Sequence, residues 1–168
     1  PIGVPGIVDA SNQHAFTITF PVADGDGDAI QSATLYHRTF GTTTWKVTPM
    51  SLQPGAAVVT IGSQHGYLPI HAVEFKAQAK DQYGASSNST VHTHQMPNHP
   101  PQVVSVTVTA STTQHITFLN ASASDPDGDA IVQILLEHRR QGSAGWTAKV
   151  MNLTGSRGLT TLGIEDGY

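Results

Sequence analysis

Two short acidic segments carry the residue types in this chain that are best suited to binding a metal ion. Each contains three aspartates at alternate positions, and together they hold six of the twelve acidic residues of the chain. Alternate aspartates around a glycine place carboxylate oxygens on one side of a tight loop, and calcium prefers oxygen ligands. The aspartates are Asp24, Asp26 and Asp28 in the first segment and Asp125, Asp127 and Asp129 in the second.

The acidic segments have two interpretations, which the sequence leaves open. A calcium ion takes about six to eight oxygen ligands, and a strand follows each segment before any bidentate glutamate. A calcium site would therefore need oxygens from another loop, and Asp81 is expected at the same end of its domain. The other interpretation is a polar turn, because Asp, Gly and Pro favour turns through local hydrogen bonds and backbone geometry.

The acidic segments belong to a longer internal repeat. When the chain is shifted by 101 positions, 17 of the 44 residues aligned between 24–67 and 125–168 are identical. The identities include Leu35 with Leu136, His37 with His138 and Trp45 with Trp146. We therefore divide the chain into a complete repeat at 1–96, a proline-rich linker at 97–102, and a second repeat at 103–168 that lacks its last two strands.

Apolar residues alternate with polar or small residues through both repeats, which predicts strands with one buried face. Phe16, Ile18 and Phe20 alternate in the first repeat, and Val104, Val106 and Val108 alternate in the second. Upstream of Leu119 the two repeats match better if the register slips by one residue, which suggests a β-bulge. The strands expected in the first repeat are 4–9, 14–22, 30–40, 44–51, 56–61, 71–80 and 88–95. Short strands separated by turn signals predict an all-β fold, with an antiparallel β-sandwich in each repeat.

Longer stretches of the chain resemble known repeat families. The run IQSATLYHRTFGTTTWKVTPM, followed by a strand and VEFKAQAKDQYGASS, resembles fibronectin type III and immunoglobulin-like modules of bacterial type. The segment SDPDGDAI resembles the cadherin-like repeats of large surface proteins. This resemblance covers nearly the whole chain and implies two tandem Ig-like or fibronectin type III-like sandwiches in an extracellular or cell-surface protein.

The resemblance to cadherin-like repeats also bears on the calcium hypothesis. In those repeats calcium lies between successive domains and takes ligands from both. The resemblance implies that the second acidic segment faces the linker, with Asn98 nearby. The calcium ligands expected from the residues and the resemblance together are Asp24, Asp26, Asp28, Asp81, Asp125, Asp127 and Asp129.

Other side chains suggest modification or packing roles. Asn88, Asn120 and Asn152 each begin an N-x-S/T acceptor, which predicts glycan sites in a secreted eukaryotic protein and solvated turns otherwise. Two further expectations concern residues near the strand predicted at 30–40. We expect His37 and His138 to pack inward, and Arg38 and Arg139 to form cation–π pairs with Trp45 and Trp146. The alternative for an exposed tryptophan is stacking on a sugar ring.

Composition excludes several functional classes. The net charge is -4 with no basic segment to hold nucleic acid, and no apolar run is long enough for membrane insertion. The chain has no cysteine and shows neither a nucleophile elbow nor a phosphate-binding glycine loop. We therefore expect a protein that is not an enzyme.

The functional hypothesis from sequence is a non-catalytic structural or adhesive module, a segment of an extracellular fibre, filament or stalk. A second repeat without its last strands has unpaired edges, so either the chain continues with further strands, or copies of the chain or neighbouring repeats supply them as partners through strand exchange. The alternative is an accessory module of a secreted polysaccharide-active enzyme that binds carbohydrate. Calcium and attached glycans are the non-protein groups that either hypothesis includes.

Overall fold

A computed structural model describes residues 1–163 and Asp166 and shows no α-helix among them. The chain divides into two compact units, Pro1–Asn98 and His99–Tyr168. Every strand pairing in both units is antiparallel. The all-β, antiparallel fold that the alternation predicts is therefore confirmed.

The first unit contains eight strands and one short 3-10 turn at Ser63–His65. The strands are β1 Gly6–Asp9, β2 Ala15–Pro21, β3 Ile30–Thr39, β4 Lys46–Gln53, β5 Ala56–Gly62, β6 Ala72–Asp81, β7 Ser86–Asn88 and β8 His92–Gln95. Hydrogen bonding links them in the order β1-β2-β5-β4-β3-β6-β7, and β8 also pairs with β6. The path is continuous because β4 pairs first with β3 and then with β5.

The sheet of the first unit folds over itself, so that β2 faces β6 across a packed core. The rings of Phe16 and Phe20 on β2 lie 6.0 and 6.2 Å, centroid to centroid, from the ring of Phe75 on β6. All three side chains are fully buried, as is Ile18 between them on the same face. The period-two pattern produces this sandwich because alternate side chains of a strand point to one face.

The last strand predicted for the first unit, 88–95, is divided into β7 and β8. Ser89 lies at the break, where its N–H donates to the carbonyl of Ala77 at 2.9 Å. The N–H of Ala77 donates to the Ser89 hydroxyl at 2.9 Å, where a continuous ladder would use a backbone carbonyl. A serine side chain competes in this way with sheet hydrogen bonding, which alternation alone does not reveal.

The second unit forms two smaller sheets. Its strands are β9 Gln102–Ala110, β10 Thr117–Ser124, β11 Leu135–His138, β12 Thr147–Val150, β13 Asn152–Thr154 and β14 Arg157–Leu162. One sheet has the order β13-β14-β10-β9, and the other is the pair β11-β12. A small core joins them, formed by Leu119, Ala121, Ala123, Ile134 and Met151.

Candidate functional site

The first acidic loop is a hydrogen-bonded turn between β2 and β3. The Oδ1 atom of Asp24 accepts hydrogen bonds from the backbone N–H groups of Asp26, at 2.8 Å, and Asp28, at 3.3 Å. Gly27 has a φ of 84°, a left-handed conformation that residues with a Cβ adopt only at a cost in energy. Asp24 therefore stabilises the turn from within, as turn aspartates commonly do.

The second acidic loop repeats this turn and adds a contact to the start of its own unit. Asp125 Oδ1 accepts the N–H groups of Asp127, at 2.8 Å, and Asp129, at 3.4 Å. The side chain of Asp127 is fully buried, whereas its counterpart Asp26 is exposed. The N–H of His99 donates to Asp127 Oδ2 at 2.6 Å, and the His99 ring Nδ1 lies 2.8 Å from Oδ1. This carboxylate therefore fixes the first residue of the second unit.

Asp81 stabilises the turn between β6 and β7, next to the first acidic loop. Its side chain is buried, and its Oδ1 accepts two backbone N–H groups of its own turn, at 2.8 and 2.9 Å. Gln82 joins the two loops, since its Nε2 donates to Asp28 Oδ1 at 3.4 Å. The structure thus brings Asp81 to the same end of the unit as the first acidic loop.

The aspartates of the calcium hypothesis lie in turns of the structure, where their oxygens accept backbone amides. In the part of the chain that the structure describes, no group of three His, Asp or Glu side chains could hold a metal ion. In each acidic loop, one oxygen of the first aspartate already accepts two backbone amides. The second loop also bonds the start of its unit, through Asp127 and His99.

The three predicted glycan acceptors all lie on strands. Asn88 is exposed on β7, where Gln78 Nε2 donates to its Oδ1 at 3.2 Å. Asn152 is exposed on β13, and Asn120 is half-buried on β10. The last two lie on the same face of one sheet, because both pair with Leu159 of β14.

A buried polar cluster lies at the end of β3 in the first unit. His37 is fully buried, with its ring Nδ1 2.6 Å from the Tyr67 hydroxyl and its Nε2 2.8 Å from the Thr48 hydroxyl. His65 meets the His37 ring edge-on at 5.3 Å. Lys46 donates to the carbonyl of His65. The inward packing expected of His37 is confirmed.

Burial is the main cause of the shifted pKa values of His37 and Tyr67 in this cluster. Burial, reinforced by the nearby charges of His65 and Lys46, lowers the pKa of His37 from 6.5 to about 4. Burial also raises the pKa of Tyr67 to about 12. Both side chains are therefore neutral at pH 7, as a buried pair without a carboxylate must be.

The second unit has an ion pair at the corresponding position. Lys149 replaces Thr48, and Asp166 replaces His65 in the repeat. Lys149 Nζ donates to both carboxylate oxygens of Asp166 at 2.8 Å, and this hydrogen bond lowers the pKa of the Asp166 carboxyl. His138 is buried as expected, whereas Tyr168, the counterpart of Tyr67, lies outside the described residues.

The predicted cation–π pairs are confirmed in both units. The guanidinium carbon of Arg38 lies 4.2 Å from the ring centroid of Trp45, and that of Arg139 lies 4.5 Å from Trp146. Lys76 adds a second cation to Trp45, with its Nζ 5.3 Å from the ring centroid. Trp45 is half-buried, while Trp146 is 60% exposed.

Three valines of β9 form an exposed apolar row, which we call the open valine face. Each pairs with a buried residue of β10 and therefore points to the core side of its sheet. The pairs are Val103 with Ala123, Val106 with Ala121 and Val108 with Leu119. The valines are nevertheless between 57% and 66% exposed. Burial of one such side chain is worth about 1.5 to 3 kcal/mol, so a covering layer on this face would be strongly stabilising.

The first unit shows what covers the equivalent face when the sandwich is complete. Ile2 and Ile7, which precede Val103 and Val108 by one repeat length, pack against the core. Across the same core, the ring of His94 on β8 lies 4.7 Å from that of Phe16 on β2. Strands β6 and β8 therefore supply the covering layer of the first unit.

Sequence reasoning placed one residue of the open valine face incorrectly. The alternation in the sequence assigns Val104, Val106 and Val108 to one face. In the structure the pairing shifts between Ser122 and Ala123, so that Val103 replaces Val104 on the core side. The signal that identifies Val103 is Ile2 at the equivalent position of the first repeat, because a β-bulge changes which residue points inward.

A scan of protein-family models finds none that matches this chain, and a search of curated proteins finds no significant match. The inferences below therefore rest on the residues and their geometry.

In the described part of the chain, no helix has the length and apolar character needed to cross a lipid bilayer.

Proposed function

We propose that this chain is a non-catalytic structural or adhesive repeat of an extracellular, cell-surface fibre, filament or stalk. The open valine face carries the proposal, since strands of the same repeat array or of a neighbouring copy would cover its exposed valines. The internal duplication and the resemblance to tandem fibronectin type III and Ig-like (cadherin-like) modules support the same class. Sandwiches of this kind host many functions, so the argument rests on the face and not on the fold.

The proposed partner segment is a β-hairpin with the alternation seen in β6 and β8. On β6, the residues that face the core are buried and alternate with half-buried ones. They are Val73, Phe75, Ala77 and Ala79. A neighbouring repeat supplies such a hairpin to the second unit, adding backbone hydrogen bonds at the sheet edge and apolar cover over the valines.

Charge and polar geometry support a non-catalytic role without nucleic acid. The net charge of -4 disfavours polyanions as partners. The carboxylates of the two acidic segments belong to turns, where Asp24 and Asp125 accept backbone amides. The exposed acceptors Asn88 and Asn152 suit glycosylation in a secreted protein, which mass spectrometry after enzymatic glycan release would detect.

Self-association of the intact chain tests the proposal. Sedimentation over a range of concentrations should show oligomers, and Val106→Asp or Val108→Asp should shift the chain to monomer. The physical reason is that a carboxylate on the open valine face cannot be covered without desolvation. Val8→Asp is the matched control, since Val8 is 70% exposed on β1 and pairs with Thr17 on the outer face.

A peptide with the sequence of β6 to β8 tests whether this particular hairpin is the segment that binds the second unit. A synthetic peptide of residues 72–95 should bind the chain and raise the melting temperature of the second unit. The same peptide with Phe75→Asp should not. The proposal would be contradicted if the intact chain is a monomer at every concentration and does not bind the unsubstituted peptide.

The second candidate function is an accessory module that binds carbohydrate in a secreted polysaccharide-active enzyme. A groove on the second unit favours this function, because threonine hydroxyls, asparagine amides and the ring of Phe118 line it.

A further inference from the structure

A groove of about 620 Å³ lies on the second unit, on the face of its four-stranded sheet that points away from the core. Its walls include Thr107, Thr109, Phe118, Asn120, Asn152 and Leu159. This volume falls in the range of about 300 to 1,000 Å³ that is typical of small-ligand sites.

The strand register places these residues in two adjacent rows. Phe118 of β10 pairs with Thr109 of β9 and Thr161 of β14. Two positions along, Asn120 pairs with Thr107 and Leu159, and Leu159 also pairs with Asn152. Directly paired residues point to the same side of a sheet, so all of these side chains share the outer face.

The lining combines apolar surface with groups that both donate and accept hydrogen bonds. Phe118 and Leu159 are each 49% exposed, which leaves an apolar surface at the centre of the groove. Threonine hydroxyls and asparagine amides surround it, and each can serve as donor and as acceptor. A sugar ring has the same character, with C–H groups on its faces and hydroxyls at its rim.

The charged groups of the groove favour a neutral ligand. Lys149 is the charged residue of the lining, and its Nζ is paired with both carboxylate oxygens of Asp166 at 2.8 Å. An ammonium already paired with a carboxylate gives little attraction for an anionic group. The groove therefore favours a neutral ligand over a phosphorylated or acidic one.

The first unit lacks this chemistry at the equivalent positions. Thr17 replaces Phe118 and Thr60 replaces Thr161, one repeat length earlier. The Thr17 and Thr60 hydroxyls lie 2.9 Å apart and bond to each other, so no aromatic surface is present there. The proposed site therefore belongs to the second repeat and does not follow from the shared fold.

We propose that this groove binds a neutral oligosaccharide, with Phe118 stacking against a sugar ring and Asn120 and Asn152 bonding its hydroxyls. The proposal rests on the second candidate function, and it is independent of strand exchange. An aromatic ring that stacks on a sugar contributes apolar contact area, while the amides determine orientation.

Calorimetric titration of the intact chain, produced without N-glycans, with cellohexaose, maltohexaose, xylohexaose and mannohexaose tests this site. At least one of the four should bind, and Phe118→Ala should weaken binding at least about tenfold, whereas Phe118→Tyr keeps the ring and should retain it. Asn88→Ala in the first unit is the matched control for loss of an exposed amide. A hyaluronan oligosaccharide, which is anionic, should not bind.

The chemical shifts of the Asn120 and Asn152 side-chain amides locate the binding. They should move on titration, and Val106→Asp should leave these shifts intact, since Val106 lies on the opposite face. No binding by any of the four sugars, or binding that moves only the Trp146 indole signal, would overturn the groove assignment. Either result would leave the self-association test unaffected, so the two proposals can fail separately.

Discussion

Leu35 and Leu136 occupy the same position in two copies of one repeat, but their environments differ. Leu35 is fully buried between the two halves of the first unit, whereas Leu136 is only partly buried in the second. The strand pattern around them is the same, and both leucines point to the core side. The difference is β6, which pairs with β3 beside Leu35. Burial is therefore a property of the assembled layers, and a strand pattern gives only the potential for it.

The largest expected effect comes from the same substitution at these two positions. Leu35→Ala should lower the free energy of unfolding of the first unit by about 3 to 5 kcal/mol, because it leaves a cavity in a closed core. Leu136→Ala should cost the second unit about 1 to 2 kcal/mol, since water already reaches that side chain. Urea unfolding checks this, with Trp45 fluorescence reporting the first unit and Trp146 the second. Equal costs would show that the second unit is covered in solution.

The next effect is the pH dependence of stability, which the His37 cluster sets in the first unit and the Lys149–Asp166 ion pair sets in the second. The pKa of His37 is about 4 when folded and 6.5 when unfolded, so the unfolded chain binds the proton first. The stability of the first unit is therefore complete above pH 6.5, and it should fall by up to about 3 kcal/mol as pH drops to 4.

The second unit should respond at lower pH. The lowered pKa of Asp166 contributes stability above its unfolded pKa of 3.8, and this contribution is lost only below that value. Urea unfolding at pH 7, 5.5 and 4 should therefore show a larger loss of unfolding free energy in the first unit than in the second. His37→Gln should remove most of the slope between pH 6.5 and 4 and leave the smaller part due to His65, whose pKa burial also lowers. An unchanged slope in that variant would assign the effect to another group.

The smallest effect concerns the acidic turns. Asp24→Ala and Asp125→Ala each remove an acceptor of two backbone amides, so each should cost its own unit about 1 kcal/mol. The turn interpretation predicts the same melting temperature for the parent chain in calcium and in a chelator, because Asp24 and Asp125 each use an oxygen to accept two backbone amides. A higher melting temperature in calcium that is lost in Asp125→Ala would favour the calcium hypothesis over the turn interpretation.

Several features were predictable from sequence because they depend on local chemistry. Period-two alternation placed six of the seven predicted strands of the first unit within a few residues of their observed ends, and the seventh is divided into β7 and β8. The inward histidines and the Arg38–Trp45 and Arg139–Trp146 pairs followed from the same alternation, since residues two apart share a face. The bulge in β9, indicated by a register slip between the repeats, is also confirmed. The interruption at Ser89 and the inward position of Val103 did not follow from sequence, because each depends on which backbone group a neighbouring strand offers.

The sequence by itself determined the all-β class and the internal repeat, because both follow from the order of residue types along the chain. Only the tertiary structure decided that the first aspartate of each acidic segment bonds amides of its own turn. It also decided that Asp127 is buried against His99, and that Phe118, Asn120 and Asn152 line one groove. The physical reason is that sequence spacing fixes which face a side chain points to, whereas burial and partners depend on residues brought near it by folding.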